Sequence, residues 1–423
     1  MKSTSTTKQA GAVSLFVVIF ATLIITVITV SFLRIMVNDQ RQSSDSDLSQ
    51  SAYDAAQAGV EDAKRALLRY QRICSETPSS CAALSDSLST DVCNAAVLVG
   101  GVVSSANVSG GSPGKPGEII VQQSTSSSDK ALDQAYTCLK IKLQTEDYLG
   151  VLEPNTSQII PLVSETNPGD ATDHLPFDTA TVQWFSREDL SNDTGTVALE
   201  PMSSSQPLYQ QSNWPLDRPP VLRAQLIQFG SSYTMGGFDS VSGSQSNSNT
   251  VFLYPTSSAG ATNSDLFIAR DTRSDNPTDM PDADSAATTP LPVRCESNIS
   301  AGGYSCKMSL RLPEPIGGGD RTAYLRLSTL YNATEFRLVL SNGVPDLSGS
   351  NIVKFKDVQP EVDSTGRANV LFRRVLSRVS LFDTSFPYPD ATIDVNGNFC
   401  KDFGVAEPSS SDPDGYLEGT CTP

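Results

Sequence analysis

The sequence predicts an α+β protein: a long N-terminal membrane and stalk helix, followed by a large antiparallel β-rich body in two lobes. One observation is an apolar segment, residues 12–33, that continues in helical periodicity to residue 73 without a proline. The other is a series of short segments after residue 118 in which apolar and polar residues alternate. Because no long amphipathic helix separates these segments, antiparallel pairing is favoured over a parallel sheet with helical crossovers.

The apolar segment has the length and composition of a membrane-spanning helix. Residues 12–33 number 22 and contain no charge, proline or glycine. As an α-helix they span roughly 33 Å, enough to cross the ~30 Å hydrocarbon core of a bilayer. Lys2 and Lys8 precede the segment, and the positive-inside rule keeps such a short basic end in the cytoplasm. The body is therefore expected outside the cytoplasm, on a single-pass membrane precursor.

The helix is predicted to leave the membrane as a stalk, residues 34–73. Small and apolar residues recur there at three- and four-residue spacing, which places them on one narrow face. Small side chains allow close approach of a second element. This face is predicted to pack against a neighbouring helix or against the protein's own β-rich body, through Ala52, Ala55, Ala56, Gly59 and Ala63.

The N-terminal region resembles that of type IV prepilins. The resemblance is carried by a short basic leader ending in glycine, Lys8 to Gly11, by the apolar run directly after it, and by the amphipathic continuation. More narrowly, QAGAVSLFVVIFATLIITV followed by AYDAAQAGVEDAKRAL is similar to the N-terminal region of the PilX-like minor pilins. The similarity extends over residues 8–68 and does not reach the rest of the chain.

The resemblance implies a processing site and a set of partners. A prepilin peptidase would remove residues 1–11 by cutting after Gly11, and Ala12 would become the methylated N-terminus. The helix would wait in the membrane and then pack among other pilin subunits in a cell-surface pilus. The β-rich body would be displayed for assembly or for adhesion to a surface receptor. One departure is Phe16, which stands at the fifth mature position, where most pilins carry glutamate; PilX-like and tip-type pseudopilins tolerate this absence.

Two alternatives stay open on the sequence. An uncleaved signal-anchor would leave a surface binding protein or enzyme that never polymerises, and an intact Met1 would distinguish it. A type II secretion pseudopilin would carry the same leader as a pilus subunit. The pilin hypothesis itself expects no enzymatic activity.

Charge excludes one class of partner and is unevenly distributed. A net charge of −17 argues against a general nucleic-acid-binding surface, which requires clustered basic residues. Residues 305–380 nevertheless carry 11 Lys and Arg against 7 Asp and Glu. This basic excess is either a solvated strand face or a docking patch for an acidic subunit, a surface anion or DNA, and it includes Arg367, Arg373, Arg374 and Arg378.

The cysteines indicate a disulfide set outside the cell. They are even in number, scattered, and form no C-x-x-C motif. With one histidine in the chain, a Cys/His zinc site is not expected. Proximity favours pairing of Cys295 with Cys306 and of Cys400 with Cys421, and pairing within a group of four: Cys74, Cys81, Cys93 and Cys138.

Composition divides the body into a Cys-containing variable segment, two lobes and a linker. Residues 74–117 are the variable segment, with a short second helix predicted at 81–99. The lobes are expected at 118–270 and 291–423, because the linker at 271–290 is too polar to build a core. Strands are predicted at 136–145, 180–187, 221–229, 250–254, 265–269, 305–312, 323–331, 335–341 and 369–382.

No motif predicts a catalytic residue, a cofactor or an assigned metal. Gly110 to Gly114 matches G-x-S-x-G but lies in a flexible SGGSPGKPG turn, with His174 as the sole candidate partner. A weak calcium candidate is formed by Asp394, Asn396 and Asn398, although Val405 stands where the loop requires a carboxylate.

Overall fold

The fold is described from a computed structural model. The described residues are 10–77, 81–89, 92–93, 118–122, 134–154, 156–167, 173–201, 209–229, 248–257, 291–300, 302–317, 322–343 and 351–382. They contain one long helix, one short helix and a β-rich body, which confirms the predicted α+β class.

Helix α1 runs from Ala10 to Glu76 without interruption. It is continuous because proline, which breaks helices, first occurs at Pro78. The helix contains only two glycines, too few to interrupt it. Its end lies three residues beyond the predicted one. The second helix, α2, spans Cys81–Leu88 and is shorter than the predicted 81–99.

Fourteen strands are present among the described residues. Most predicted segments coincide with them, and the alternating segment at 221–229 matches its strand at both ends. The segment at 265–269 lies outside the described residues. The strands are β1 Ile119–Gln122, β2 Gln134–Thr145, β3 Tyr148–Leu152, β4 Ser157–Pro161, β5 Phe177–Ser186, β6 Val221–Phe229, β7 Ser248–Thr256, β8 Leu291–Arg294, β9 Tyr304–Ile316, β10 Thr322–Leu330, β11 Thr334–Ser341, β12 Ile352–Val353, β13 Phe355–Ala368 and β14 Leu371–Arg378.

The chain forms two compact units that interleave along the sequence. The first comprises Met1–Ala66, Asp91–Lys140 and Val362–Ser377. The second comprises Leu67–Thr90, Ile141–Glu361 and Arg378–Pro423. The expected boundary at 271–290 therefore does not separate the units, because strands from both sides of it share the same sheets.

In the first unit, α1 packs on a four-stranded sheet of order β1-β2-β13-β14. Strands β13 and β14 form a hairpin whose two-residue turn is Asn369 and Val370. Asn369 has a φ of 54°, in the left-handed region that asparagine tolerates better than most residues. The hairpin places β14 at one edge of the sheet.

The second unit is a sandwich of two sheets around one core. One sheet has the order β4-β10-β6-β7-β8; the other has the order β12-β11-β5-β9, with β3 also paired to β11. The pairing is antiparallel except between β7 and β8. Inward-facing residues of both sheets are buried together, among them Leu222 and Leu325 of one sheet and Val182, Met308 and Leu338 of the other. Side chains point to opposite faces in turn along each strand, so every second residue faces inward and contributes to this core.

Three disulfides lie among the described residues. Cys74–Cys81 and Cys93–Cys138 join members of the group of four that the sequence predicts to pair internally. Cys295–Cys306 is the bridge predicted from proximity. The predicted pair Cys400–Cys421 lies outside the described residues.

Candidate functional site: the N-terminal helix

The N-terminal part of α1 exposes its apolar side chains on all faces. It is the one helix among the described residues that is long and apolar enough to cross a membrane, and none of its apolar window is buried by the protein. Gly11 and Ala12 lie within the first turns of this helix. The large exposed apolar residues are Phe16, Val17, Val18, Ile19, Phe20, Leu23, Ile24, Ile25, Val27, Ile28, Val30, Phe32, Leu33, Ile35, Met36 and Val37.

The hydroxyl groups of residues 16–33 are satisfied within the helix. Thr22 and Thr26 donate to the carbonyls of Ile19 and Leu23, at 2.9 and 2.8 Å. Thr29 and Ser31 donate in the same way to carbonyls four residues earlier. Because these four hydroxyls need no water, residues 16–33 are suited to a lipid environment or to a contact with other apolar helices.

Farther along α1, one face is buried by the protein's own sheet. Ala52, Ala55, Ala56 and Ala63 are fully buried, as the small-residue pattern predicts. The structure therefore assigns this face to packing within the subunit, one of the two partners that the sequence left open. The larger residue Val60 adds apolar area on the same side of the helix.

Two glycines allow the helix and sheet to approach closely. A Cβ at Gly366 of β13 would overlap the carbonyl oxygen of Ala52 and the nitrogen of Ala56. A Cβ at Gly59 of α1 would overlap the hydroxyl of Ser364 and touch the Tyr136 ring. Glycine is required at both positions because backbone and side chain meet there without a gap.

Polar contacts fix α1 in register on the sheet. The Tyr136 hydroxyl donates to Asp62 at 2.9 Å, and the Arg373 guanidinium donates to Ser49 at 2.7 Å. Burial, together with the charge of Asp62, raises the pKa of Tyr136 well above its usual value. The tyrosine therefore remains a hydrogen-bond donor across the physiological pH range.

Three of the four arginines of the predicted docking patch are engaged in ion pairs. Arg367 is buried and forms two bonds to Glu118, at 3.1 and 2.7 Å. Arg374 forms two bonds of 2.7 Å to Asp363. Arg378 pairs with Asp147 and Glu361. The solvated-face and docking-patch interpretations both fail for the buried Arg367, whose charge is satisfied inside the protein.

An acidic group just after β5, bonded to the start of β11, is also structural. Asp189 accepts hydrogen bonds from the backbone N–H of Ser186 at 2.8 Å, the Thr334 hydroxyl at 3.2 Å and the backbone N–H of Glu335 at 3.0 Å. Burial nevertheless raises the pKa of Asp189 to about 6. Within the described residues, no group of three His, Cys, Asp or Glu side chains lies close enough to hold a metal ion.

Asp189 predicts a pH dependence of stability. Its pKa in the folded protein, about 6, exceeds the ~3.9 of an unfolded chain, so the folded state binds the proton more tightly. This contribution is complete below about pH 4 and is lost as the pH rises through about 6. We expect Asp189→Asn, which stays neutral, to gain about 1–2 kcal/mol over the native protein between pH 4 and pH 7.

Urea midpoints of the two proteins at both pH values measure this difference. A difference in urea midpoint that stayed constant across the pH range would contradict the raised pKa of Asp189, because the other carboxylates titrate equally in both proteins.

A second cluster surrounds a buried arginine in the sandwich. The Arg218 guanidinium lies 4.2 Å over the Trp214 ring, donates to the Tyr254 hydroxyl at 3.0 Å and pairs with Glu200 at 2.9 Å. Tyr331 stacks on Trp214 with centroids 4.1 Å apart. Arg218 and Tyr331 together flank the tryptophan ring, so the ring has no open face for a ligand. This cluster packs the protein and was not signalled by the loop-like sequence SNWPLDRPP.

The remaining sequence candidates are placed as follows. His174 lies in a bridged loop, where its Nδ1 is 2.6 Å from the carbonyl oxygen of Ser164. Ser112 of the G-x-S-x-G match lies outside the described residues, as do the calcium candidates Asp394, Asn396 and Asn398. Helix α1, with an exposed apolar part and a buried part, is therefore the functional element that the described residues support.

No family model, no curated protein and no solved structure matches this chain.

Proposed function

We propose that this chain is a minor type IV pilin of the PilX-like kind, whose N-terminal helix enters a pilus filament and whose β-rich body is displayed at the cell surface. The observation that carries the proposal is the division of one unbroken helix, Ala10–Glu76, into two parts. Its first part exposes apolar residues on every face, and its later part is buried against the protein's own sheet. Such a helix anchors a body at one end and offers an apolar surface to a bilayer or to other helices at the other.

The proposed partners follow from this division. Other pilin subunits would contact the exposed apolar part, a prepilin peptidase would act at Gly11 and Ala12, and the membrane would hold the precursor. The body would lie outside the cytoplasm, where the cystines are stable. A surface receptor would be bound by the body, for adhesion.

A second candidate is a signal-anchored surface protein that does not polymerise. Phe16, at the position of the glutamate that meets a neighbouring subunit's N-terminus in most pilins, is compatible with this candidate, but it fits a minor subunit as well because PilX-like and tip-type pseudopilins tolerate the absence of that glutamate. A type II secretion pseudopilin is a variant of the first proposal and differs in the assembly that it joins.

Processing at Gly11 tests the proposal. With a prepilin peptidase co-expressed, we expect the membrane-bound chain to begin at Ala12, and Gly11→Leu to leave the full precursor, because the peptidase recognises the glycine before the cut. Intact mass measurement distinguishes the two species. Thr6→Leu, in the same leader, is the matched control and should be processed normally. An intact Met1 in the native chain would favour the signal-anchored candidate instead.

A further inference from the structure

Directly after strand β11, the chain carries an asparagine followed by a glycine. The strand ends at Ser341, which lies opposite Thr179 of β5. Continuing this antiparallel register by one residue places Asn342 opposite Asp178. All of these residues belong to the second unit. The pair formed by Asn342 and Gly343 therefore lies at the end of a sheet, beside a carboxylate.

That carboxylate is bonded to the backbone nitrogen of Gly343. The Gly343 N–H donates to Oδ1 of Asp178 at 2.9 Å. The Thr179 hydroxyl donates to the same oxygen at 2.8 Å. Asp178 is 9% exposed, so the carboxylate is held in place and largely shielded from water. It is thus fixed against the nitrogen atom that follows Asn342 in the chain.

The asparagine side of the pair is accessible. Asn342 is exposed, and its backbone N–H donates to the Asn351 carbonyl at 3.0 Å, which fixes the backbone before Gly343. Gly343 has a φ of 82°, in the region that glycine adopts readily. A Cβ at Gly343 would meet nothing within 4 Å. The described residues thus leave open space beside Gly343, into which the Asn342 side chain can turn.

We propose that Asn342 is a self-modification site, at which Asp178 acts as a general base. The Gly343 nitrogen attacks Cγ of Asn342, and its proton, which becomes acidic as the new N–C bond forms, passes to Oδ1 of Asp178. The bond between Cγ and the side-chain nitrogen breaks, the proton passes from Asp178 to that nitrogen, and ammonia leaves. A cyclic succinimide remains. Water then opens the ring and gives aspartate or isoaspartate, without oxidation or reduction.

The contact with Asp178 goes beyond the general susceptibility of an asparagine that precedes glycine. A general base must lie within about 2.6–3.2 Å of the atom that gives up the proton, and the 2.9 Å contact meets this requirement. Because the fold positions the carboxylate before the reaction begins, no encounter with a base from solution is needed. The same dipeptide recurs at Asn396 and Gly397, outside the described residues.

The modification would weaken the end of β11. A carboxylate at position 342 would stand opposite Asp178, and like charges directly opposite one another destabilise an antiparallel pair. Isoaspartate would also insert a carbon atom into the backbone between Ser341 and Gly343. The inference concerns the second unit alone and does not depend on assembly into a pilus.

Incubation of the full chain in detergent, followed by peptide mass spectrometry, tests the inference. We expect Asn342 to deamidate about tenfold or more faster in the folded protein than in the same protein unfolded in urea, since positioned general bases supply roughly 10²–10⁴-fold in enzymes. In urea, Asn342 and Asn396 should react at similar rates, because both precede glycine and neither has a positioned base. A rate at Asn342 that is equal or lower in the folded protein would overturn the proposal.

Asp178→Asn identifies the base. The amide oxygen of this variant still accepts the bonds from Gly343 and Thr179 but takes up no proton, so the rate in the folded protein should fall by about tenfold or more. Asp193→Asn, at an exposed position of the same unit, is the matched control and should react like the native protein. Circular dichroism verifies that both variants are folded. An unchanged rate in folded Asp178→Asn would overturn the role of Asp178, and the comparison of folded and unfolded native protein decides the proposal if that variant does not fold.

Discussion

Gly366→Val is expected to destabilise the first unit by about 3 kcal/mol, at the upper end of overpacking effects. The added Cβ would overlap backbone atoms of Ala52 and Ala56, which cannot move without breaking the turn of α1 to which they belong. Thermal unfolding of the full chain in detergent, followed by helical circular dichroism, measures the loss. Thr365→Val, the neighbouring residue of β13, is the matched control and should melt close to the native protein.

The same interface can be overpacked from the helix side. Ala55→Leu combined with Gly59→Leu should act in the same direction, with a smaller effect at Gly59, because the side chain of Ser364 can rotate away. Gln57→Leu adds a leucine to the exposed side of the same helical turn and should have little effect. If Gly366→Val and the double variant both melted normally, helix and sheet would not be packed as described.

Trp214→Ala is expected to cost the sandwich about 3–5 kcal/mol, the usual range for removing a buried tryptophan. The variant removes the ring on which Tyr331 stacks and over which the Arg218 guanidinium lies, and thus leaves a buried charge without its aromatic neighbour. Denaturant unfolding provides the measurement. Leu216→Ala, two residues away at a side chain that is 73% exposed, is the control and should leave the midpoint unchanged.

A conservative variant separates the contribution of aromatic stacking from the cost of the lost side-chain volume. Trp214→Phe keeps an aromatic ring between Tyr331 and Arg218 and should recover part of the lost stability. An unchanged midpoint for Trp214→Ala would mean that the cluster contributes nothing to the fold, against its burial and its stacking geometry.

Strand β6 and strand β13 show how far local pattern predicts this fold. The segment at 221–229 alternates apolar and polar residues, because one side faces the sandwich core, and its bounds follow from that period. Strand β13 was not predicted, since FKDVQPEVDSTGRA carries charges, a proline and a glycine. Some of its polar groups are satisfied by partners more distant in the sequence than any local pattern reaches. Arg367 is paired with Glu118, and the carbonyl of Pro360 accepts the Val379 N–H.

The same distinction applies to the candidate site. The exposed apolar part of α1 and the small-residue face that includes Ala55 and Gly59 were predicted, because both are properties of a single helix read at a period of 3.6 residues. What covers that face was open on the sequence alone. The answer is β13, and Gly366 could not be identified as its contact point because its role depends on a helix more than three hundred residues earlier.

By itself, the sequence determined the long helix, its apolar and small-residue parts, the β-rich class of the body and the proximity of Cys295 to Cys306. These features depend on the period of apolar residues, on composition and on the short separation of two cysteines along the chain, all of which the sequence contains directly. Only the tertiary structure decided that strands from both sides of residues 271–290 share sheets, and that three of the four arginines predicted as a docking patch are paired internally. It also decided that Trp214 encloses Arg218 together with two tyrosines, Tyr209 and Tyr254. The physical reason is that burial and ion pairing are properties of neighbours in space. In a polar strand, or in a loop that contains a tryptophan, the local hydrophobic periodicity does not identify the distant residues that will form its hydrogen bonds, ion pairs and packing contacts.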